Sequence, residues 1–257
     1  MALVLLSAVA VTSFAVQGAT GAGSAIVFNA LVATSAALNV GLGLSLREAL
    51  YWLAAANLLS NLLLAYLVRD HLRMDRLGLL LITGSIPMTV MFSLLLPQLD
   101  LGVLQLGMGL AVIAAGIGIL RLDNRRRRSP NDALKLALPA GVASGVLGGL
   151  FGMSGPALIL VLGTLDESPS AFRGRMVLVT LLPSALRFFV LLGEGAYRSV
   201  PTEALWTTLP AVIVGTWVGH LMHRALEPRY FRLVLVGLVF AAGALAVVDG
   251  ISAIRLA

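Results

Sequence analysis

A chain of 257 residues that is 59% hydrophobic and 12% charged, with a mean hydropathy of +0.97, has too few charges to coat a water-soluble globule. Its net charge of +6 does not read as nucleic-acid binding, because most Lys and Arg stand in short links between apolar runs, where they orient a membrane protein. The absence of cysteine excludes a disulfide frame and any thiolate metal site.

In chain order, residues 2–43 are apolar throughout, and as one helix they would run to about 63 Å, twice the hydrocarbon thickness. They are therefore two segments. The break falls at Gly18-Ala19-Thr20-Gly21-Ala22-Gly23-Ser24, where glycine weakens a helix and lets backbone or ligand approach closely. The first fifteen residues carry no Lys or Arg and read as part of the fold rather than as a signal peptide. Apolar runs follow at 50–68, 77–96 and 101–120, each near the roughly 20 residues that a spanning helix needs. A polar, Arg-rich link covers 121–135, and then the plan recurs: 136–164 with its own glycine break, and runs at 176–192, 205–223 and 231–250.

The second break, Gly149-Leu150-Phe151-Gly152-Met153-Ser154-Gly155-Pro156, is a copy of the first. An offset of 131 residues puts Gly18 on Gly149 and Gly21 on Gly152, and carries Gly84 onto Gly215. Matched breaks in the two halves of a hydrophobic chain point to a transporter site built from discontinuous helices. The expected fold is an all-α integral membrane protein of two inverted repeats, 1–120 and 136–257. Each repeat is a glycine-broken hairpin, re-entrant or spanning, followed by three transmembrane helices. Charge supports the inversion: it puts fourteen basic residues on one side and three on the other, whereas parallel halves would divide them eleven to six. That orientation makes the 121–135 link cytoplasmic and both termini external.

Non-helical backbone survives at membrane depth only where protein or an aqueous cavity covers it, so the breaks belong inside. There the first amides of each following half-helix form an anion site needing no side-chain charge. The candidate substrate-binding residues are Gly18, Thr20, Gly21, Gly23 and Ser24 at the first break, and Gly149, Gly152, Ser154 and Gly155 at the second. Arg187 is the basic residue deep within a predicted span and suits an oxyanion gripped by two parallel hydrogen bonds; pairing with Glu194 or snorkelling are the bland readings. Asn57, Ser60 and Asn61 share one helix face, and Asn57 and Asn61 are assigned to the cavity. Asn29 and Asn39 read mainly as interhelical glue, and His220 and His223 as interfacial residues. No nucleotide-binding loop, metal-ligand cluster or nucleophile triad is visible, so no catalytic residue, metal ligand or cofactor is assigned and no enzyme is expected.

With these motifs the sequence resembles the TauE/SafE family of membrane proteins, also called the sulfite exporter or TSUP family, over nearly its whole length. The resemblance implies a secondary transporter, by preference an exporter, of a small sulfur-containing oxyanion such as sulfite or an organosulfonate of the sulfoacetate kind, in the bacterial cytoplasmic membrane. Alternating access around a midplane site is the expected mechanism. A channel-like anion pathway, or transport of a carboxylate or other non-sulfur anion, is the alternative. The expected partners are the anionic substrate and the lipid bilayer, with a proton as the candidate coupling ion, a homo-oligomer left open and no nucleic acid.

Overall fold

The computed structural model describes residues 1–37, 41–122, 130–165 and 167–223, and among them there are nine α-helices, three 3-10 turns and no strand. The helices are α1 (Ala2–Thr20), α2 (Ser24–Ala37), α3 (Leu46–Leu67), α4 (Arg76–Leu95), α5 (Leu101–Leu122), α6 (Pro130–Phe151), α7 (Gly155–Leu162), α8 (Pro169–Gly193) and α9 (Thr202–Met222). Among the described residues six helices, α1, α3, α4, α6, α8 and α9, are long and apolar enough to cross a bilayer. The chain is a multi-pass membrane protein. In each broken segment the first arm is of spanning length, 19 residues in α1 and 22 in α6, and the second is short, 14 residues in α2 and 8 in α7. The run at 231–250, Asn39 and residues 123–129 of the Arg-rich link lie outside the described residues, and α5 and α6 extend into both ends of that link.

Local sequence sets where the helices start. Ser45 and Glu48 form a capping box at α3: the Glu48 amide donates to Ser45 Oγ at 3.3 Å and the Ser45 amide to Glu48 Oε2 at 2.7 Å. Ser168 caps α8 by accepting from the Ala171 amide, with Pro169 at the first helical position. Asp75 caps α4 by accepting from the Gly78 amide at 2.9 Å, and Arg175 near the start of α8 bridges it to Glu167. Burial pulls the Asp75 carboxyl upward, but the Gly78 amide and the Arg175 guanidinium outweigh it and hold it below the usual carboxylate range.

Glycine then lets the long helices approach closely. α1 lies along α9, and α4 along α6. A Cβ on Gly215 would stand 2.6 Å from the Val11 carbonyl, and one on Gly84 would stand 2.7 Å from that of Leu138. These are small-residue contacts of the kind that drive helix association in lipid, where apolar side chains gain nothing from leaving water. α8 crosses both α3 and α4. The largest core side chain, Trp52 of α3, stacks on Phe28 of α2 at 5.1 Å and donates its indole N–H to Thr208 Oγ1 of α9 at 2.8 Å.

Candidate functional site

The two glycines of each matched pair do different work. Gly21 and Gly152 are the left-handed residues that end α1 and α6, with φ of 84° and 72°. The Gly21 amide closes on the Gln17 carbonyl at 2.7 Å. At α6 the Gly152 amide reaches Gly148 O at 3.0 Å, the 5→1 bond of a left-handed glycine end, and the Met153 amide reaches back to Leu147 O at 3.1 Å. Gly18 and Gly149, three residues earlier, are packing residues: a Cβ on Gly18 would collide with the Thr216 carbonyl of α9, and one on Gly149 would lie 2.9 Å from Thr89 O and Phe92 Cβ of α4. Neither lines a cavity at the breaks.

A helix end leaves four carbonyls without intrahelical partners, and here they can be followed one by one. At α6, Gly148 O takes the Gly152 amide, Gly149 O takes Arg187 Nε at 3.2 Å, Leu150 O takes Arg187 Nη2 at 3.3 Å, and Phe151 O takes Asn29 Nδ2 at 2.9 Å. At α1, Gln17 O takes the Gly21 amide, Gly18 O takes Arg173 Nη2, and Ala19 O meets His223 Nδ1 at 2.7 Å. Arg187 and Arg173 both come from α8, and both are buried. Positive charge at a helix C-terminus is favoured by the dipole as well as by the bonds. Arg173 was not expected from sequence, because a basic residue one turn into a span reads as an interfacial anchor. It also meets His220 Nδ1 at 3.0 Å, so this histidine, like Asn29, serves a helix end.

Between the breaks lies a cavity of about 40 Å³, open to water-sized groups. Gly21, Gly23 and Ser24 approach it from one break and Gly152, Ser154 and Gly155 from the other, where a Cβ on Gly155 would come within 3.2 Å of Ala22. Asn57 and Asn61, assigned to the cavity from sequence, line it from α3, and Thr180 and Ser184, which were not assigned, line it from α8. Counted from the caps Ser45 and Ser168, Asn57 and Thr180 stand twelve residues in, and Asn61 and Ser184 sixteen. The two pairs therefore occupy equivalent turns, a match that the 131-residue offset hides. Ser24 Oγ donates to Asn57 Oδ1 at 2.9 Å, and Asn57 Nδ2 reaches Gly152 O at 3.4 Å. Thr20 stands outside the cavity, its hydroxyl back-bonded to Val16 O at 2.9 Å; Ser60 pairs with Thr216 instead.

Gln17 of α1 is a further polar lining residue that the sequence did not single out. Its Nε2 donates to Asn61 Oδ1 at 3.0 Å, and its Oε1 is buried without a hydrogen-bond partner among the described residues. Arg187 faces a second, smaller cavity that shares Asn57, Gly152, Ser154 and Ser184 with the first. Nε and Nη2 are held by three carbonyls, the third being Leu50 O of α3 at 3.2 Å, while Nη1 has no hydrogen-bond partner among the described residues. A Cβ on Gly152 would stand 2.6 Å from Nη1, so the missing side chain keeps the space before it open. Among the described residues no carboxylate pairs with Arg187, and none lines either cavity.

The sulfite exporter TauE/SafE family model matches residues 5–246. The chain belongs to that family. Membership makes it a membrane exporter rather than an enzyme, in keeping with its six long apolar helices. This family member is also similar to a probable sulfite/organosulfonate exporter TauE of Cupriavidus necator (strain ATCC 17699 / DSM 428 / KCTC 22496 / NCIMB 10442 / H16 / Stanier 337), at 26% identity over 174 residues, which cover 66% of this chain and 67% of that protein. No solved structure matches it significantly.

Proposed function

We propose that the chain is a secondary transporter that exports a small sulfur-containing oxyanion, sulfite or an organosulfonate, from the bacterial cytoplasm across the inner membrane. The observation that carries this reading is a buried guanidinium with one unpartnered nitrogen, Arg187 Nη1, facing a cavity that adjoins two helix breaks. Beside it the first-turn residues Ser24 and Ala25 of α2 line the larger cavity, and a helix N-terminus favours an anion. The substrate class comes from the relative, which carries sulfite and organosulfonate in its name.

The way the halves pair supports alternating access. Under the 131-residue offset α1 corresponds to α6 and α9 to α4, so the pairings α1 with α9 and α6 with α4 are exchanged equivalents. We read them as two inverted repeats, 1–120 and 136–257, each lending its hairpin to the other, with the basic link cytoplasmic and both termini outside. Rocking of one such unit against the other would open the cavity to either side in turn. The test is uptake of sulfite, sulfoacetate, taurine and a carboxylate into proteoliposomes, with and without a pH gradient. Saturable flux of a sulfur anion that responds to the gradient supports proton-coupled transport. Flux without saturation indicates a channel, and silence across the set overturns the reading.

A further inference from the structure

We infer that the site is built for a monoanion carrying a neutral hydrogen-bond donor at its far end, such as a hydroxyalkanesulfonate or the singly protonated form of sulfite. The inference rests on the cavity being the substrate site, and it adds the chemical shape of the substrate.

The two cavities, which share four lining residues, present opposite demands. In one, Arg187 Nη1 has N–H groups without an acceptor among the described residues, on a side chain only 2% exposed. In the other, Gln17, 4% exposed, has Oε1 without a donor among the described residues. The hydrogen-bond chain dictates the direction of that amide. Ser184 Oγ gives its single proton to Leu181 O at 2.8 Å, so it accepts from Asn61 Nδ2 at 3.0 Å. Asn61 Oδ1 then faces Gln17, whose Nε2 donates to it, and this leaves Oε1 as the unpaired acceptor of a side chain that lines the cavity. A buried acceptor left unpaired is costly, and a ligand donor would remove that cost.

Charge narrows the class further. The two cavities are lined by one cation, Arg187, and by no Asp or Glu. A second anionic group on the substrate would meet the Gln17 oxygen with no cation to balance it. An ammonium would leave water without a carboxylate partner. A hydroxyl fits without either penalty.

The test compares four ligands of similar length on the purified full-length chain, read by competition against sulfite uptake: 2-hydroxyethanesulfonate, ethanesulfonate, taurine and sulfoacetate. Expected is a roughly three- to tenfold advantage of the hydroxyl compound over ethanesulfonate, the worth of one neutral hydrogen bond, with taurine and sulfoacetate weaker than both. Gln17→Leu should level the first two. Equal binding of the first two by the wild-type chain, or a lead for taurine or sulfoacetate, overturns the inference. Should Gln17→Leu fail to fold, the wild-type ranking decides alone. Competition by none of the four, with sulfite itself not transported, counts against the transporter reading instead.

Discussion

Replacing Arg187 with Met tests the fold and the site together. The substitution keeps much of the side-chain volume and removes the donors to Gly149 O, Leu150 O and Leu50 O. Hydrogen bonds to a charged donor contribute about 1.5–3 kcal/mol each, and the stranded carbonyls at the end of α6 have no water to turn to. Against that loss, removing an uncompensated buried charge returns several kcal/mol of desolvation cost. The balance is a destabilisation of about 2–4 kcal/mol, a fall in melting temperature of roughly 5–15 °C in detergent. Protection by sulfite or a sulfonate against thermal unfolding should disappear altogether. Arg187→Lys separates the two roles, because a point charge reaches the cavity without bridging three carbonyls; it should lower stability and keep weakened ligand protection. Unchanged melting and undiminished protection in Arg187→Met would refute both roles.

Gly152→Ala puts a Cβ 2.6 Å from Arg187 Nη1 in a backbone with φ of 72°, so binding should be lost along with about 1–2 kcal/mol of stability, measured by ligand-induced thermal shift. Gly149→Ala presses on Thr89 and Phe92 and should cost about 1–3 kcal/mol, whereas Gly193→Ala, which meets nothing within 4 Å, should be neutral or slightly stabilising; equal melting of the two variants would remove the close-packing account of the first glycine. Asp75 has a carboxyl pKa lowered in the folded protein, so its contribution is complete above the unfolded carboxylate value and declines as pH falls through the lower folded one. Asp75→Asn should therefore melt below the wild-type chain at neutral pH, with the gap closing under strongly acid conditions; a gap independent of pH would contradict the linkage. Trp52→Phe loses the indole bond to Thr208 and part of the stack on Phe28, and should cost about 1–3 kcal/mol in the same melting assay.

Composition and the 131-residue repeat were enough to determine a helical membrane protein with two interior breaks, because a bilayer admits few backbone solutions and each apolar run must match its thickness. The same reading assigned Gly21, Gly152, Asn57 and Asn61 to one site, since glycine breaks a helix and amides in hydrocarbon seek company, and all four line one cavity. Other roles depended on which helices meet. Gly18 and Gly149 look like their partners three residues on, yet they face α9 and α4 and serve packing. Arg187 was legible as a buried cation, but its three carbonyl partners come from the end of α6 and from α3, elements distant in sequence. Gln17, Thr180, Ser184 and Arg173 left no mark that could be read in advance. A polar side chain becomes part of a site through the acceptor or donor that its neighbours leave unanswered, and only the assembled helices decide which atoms those are.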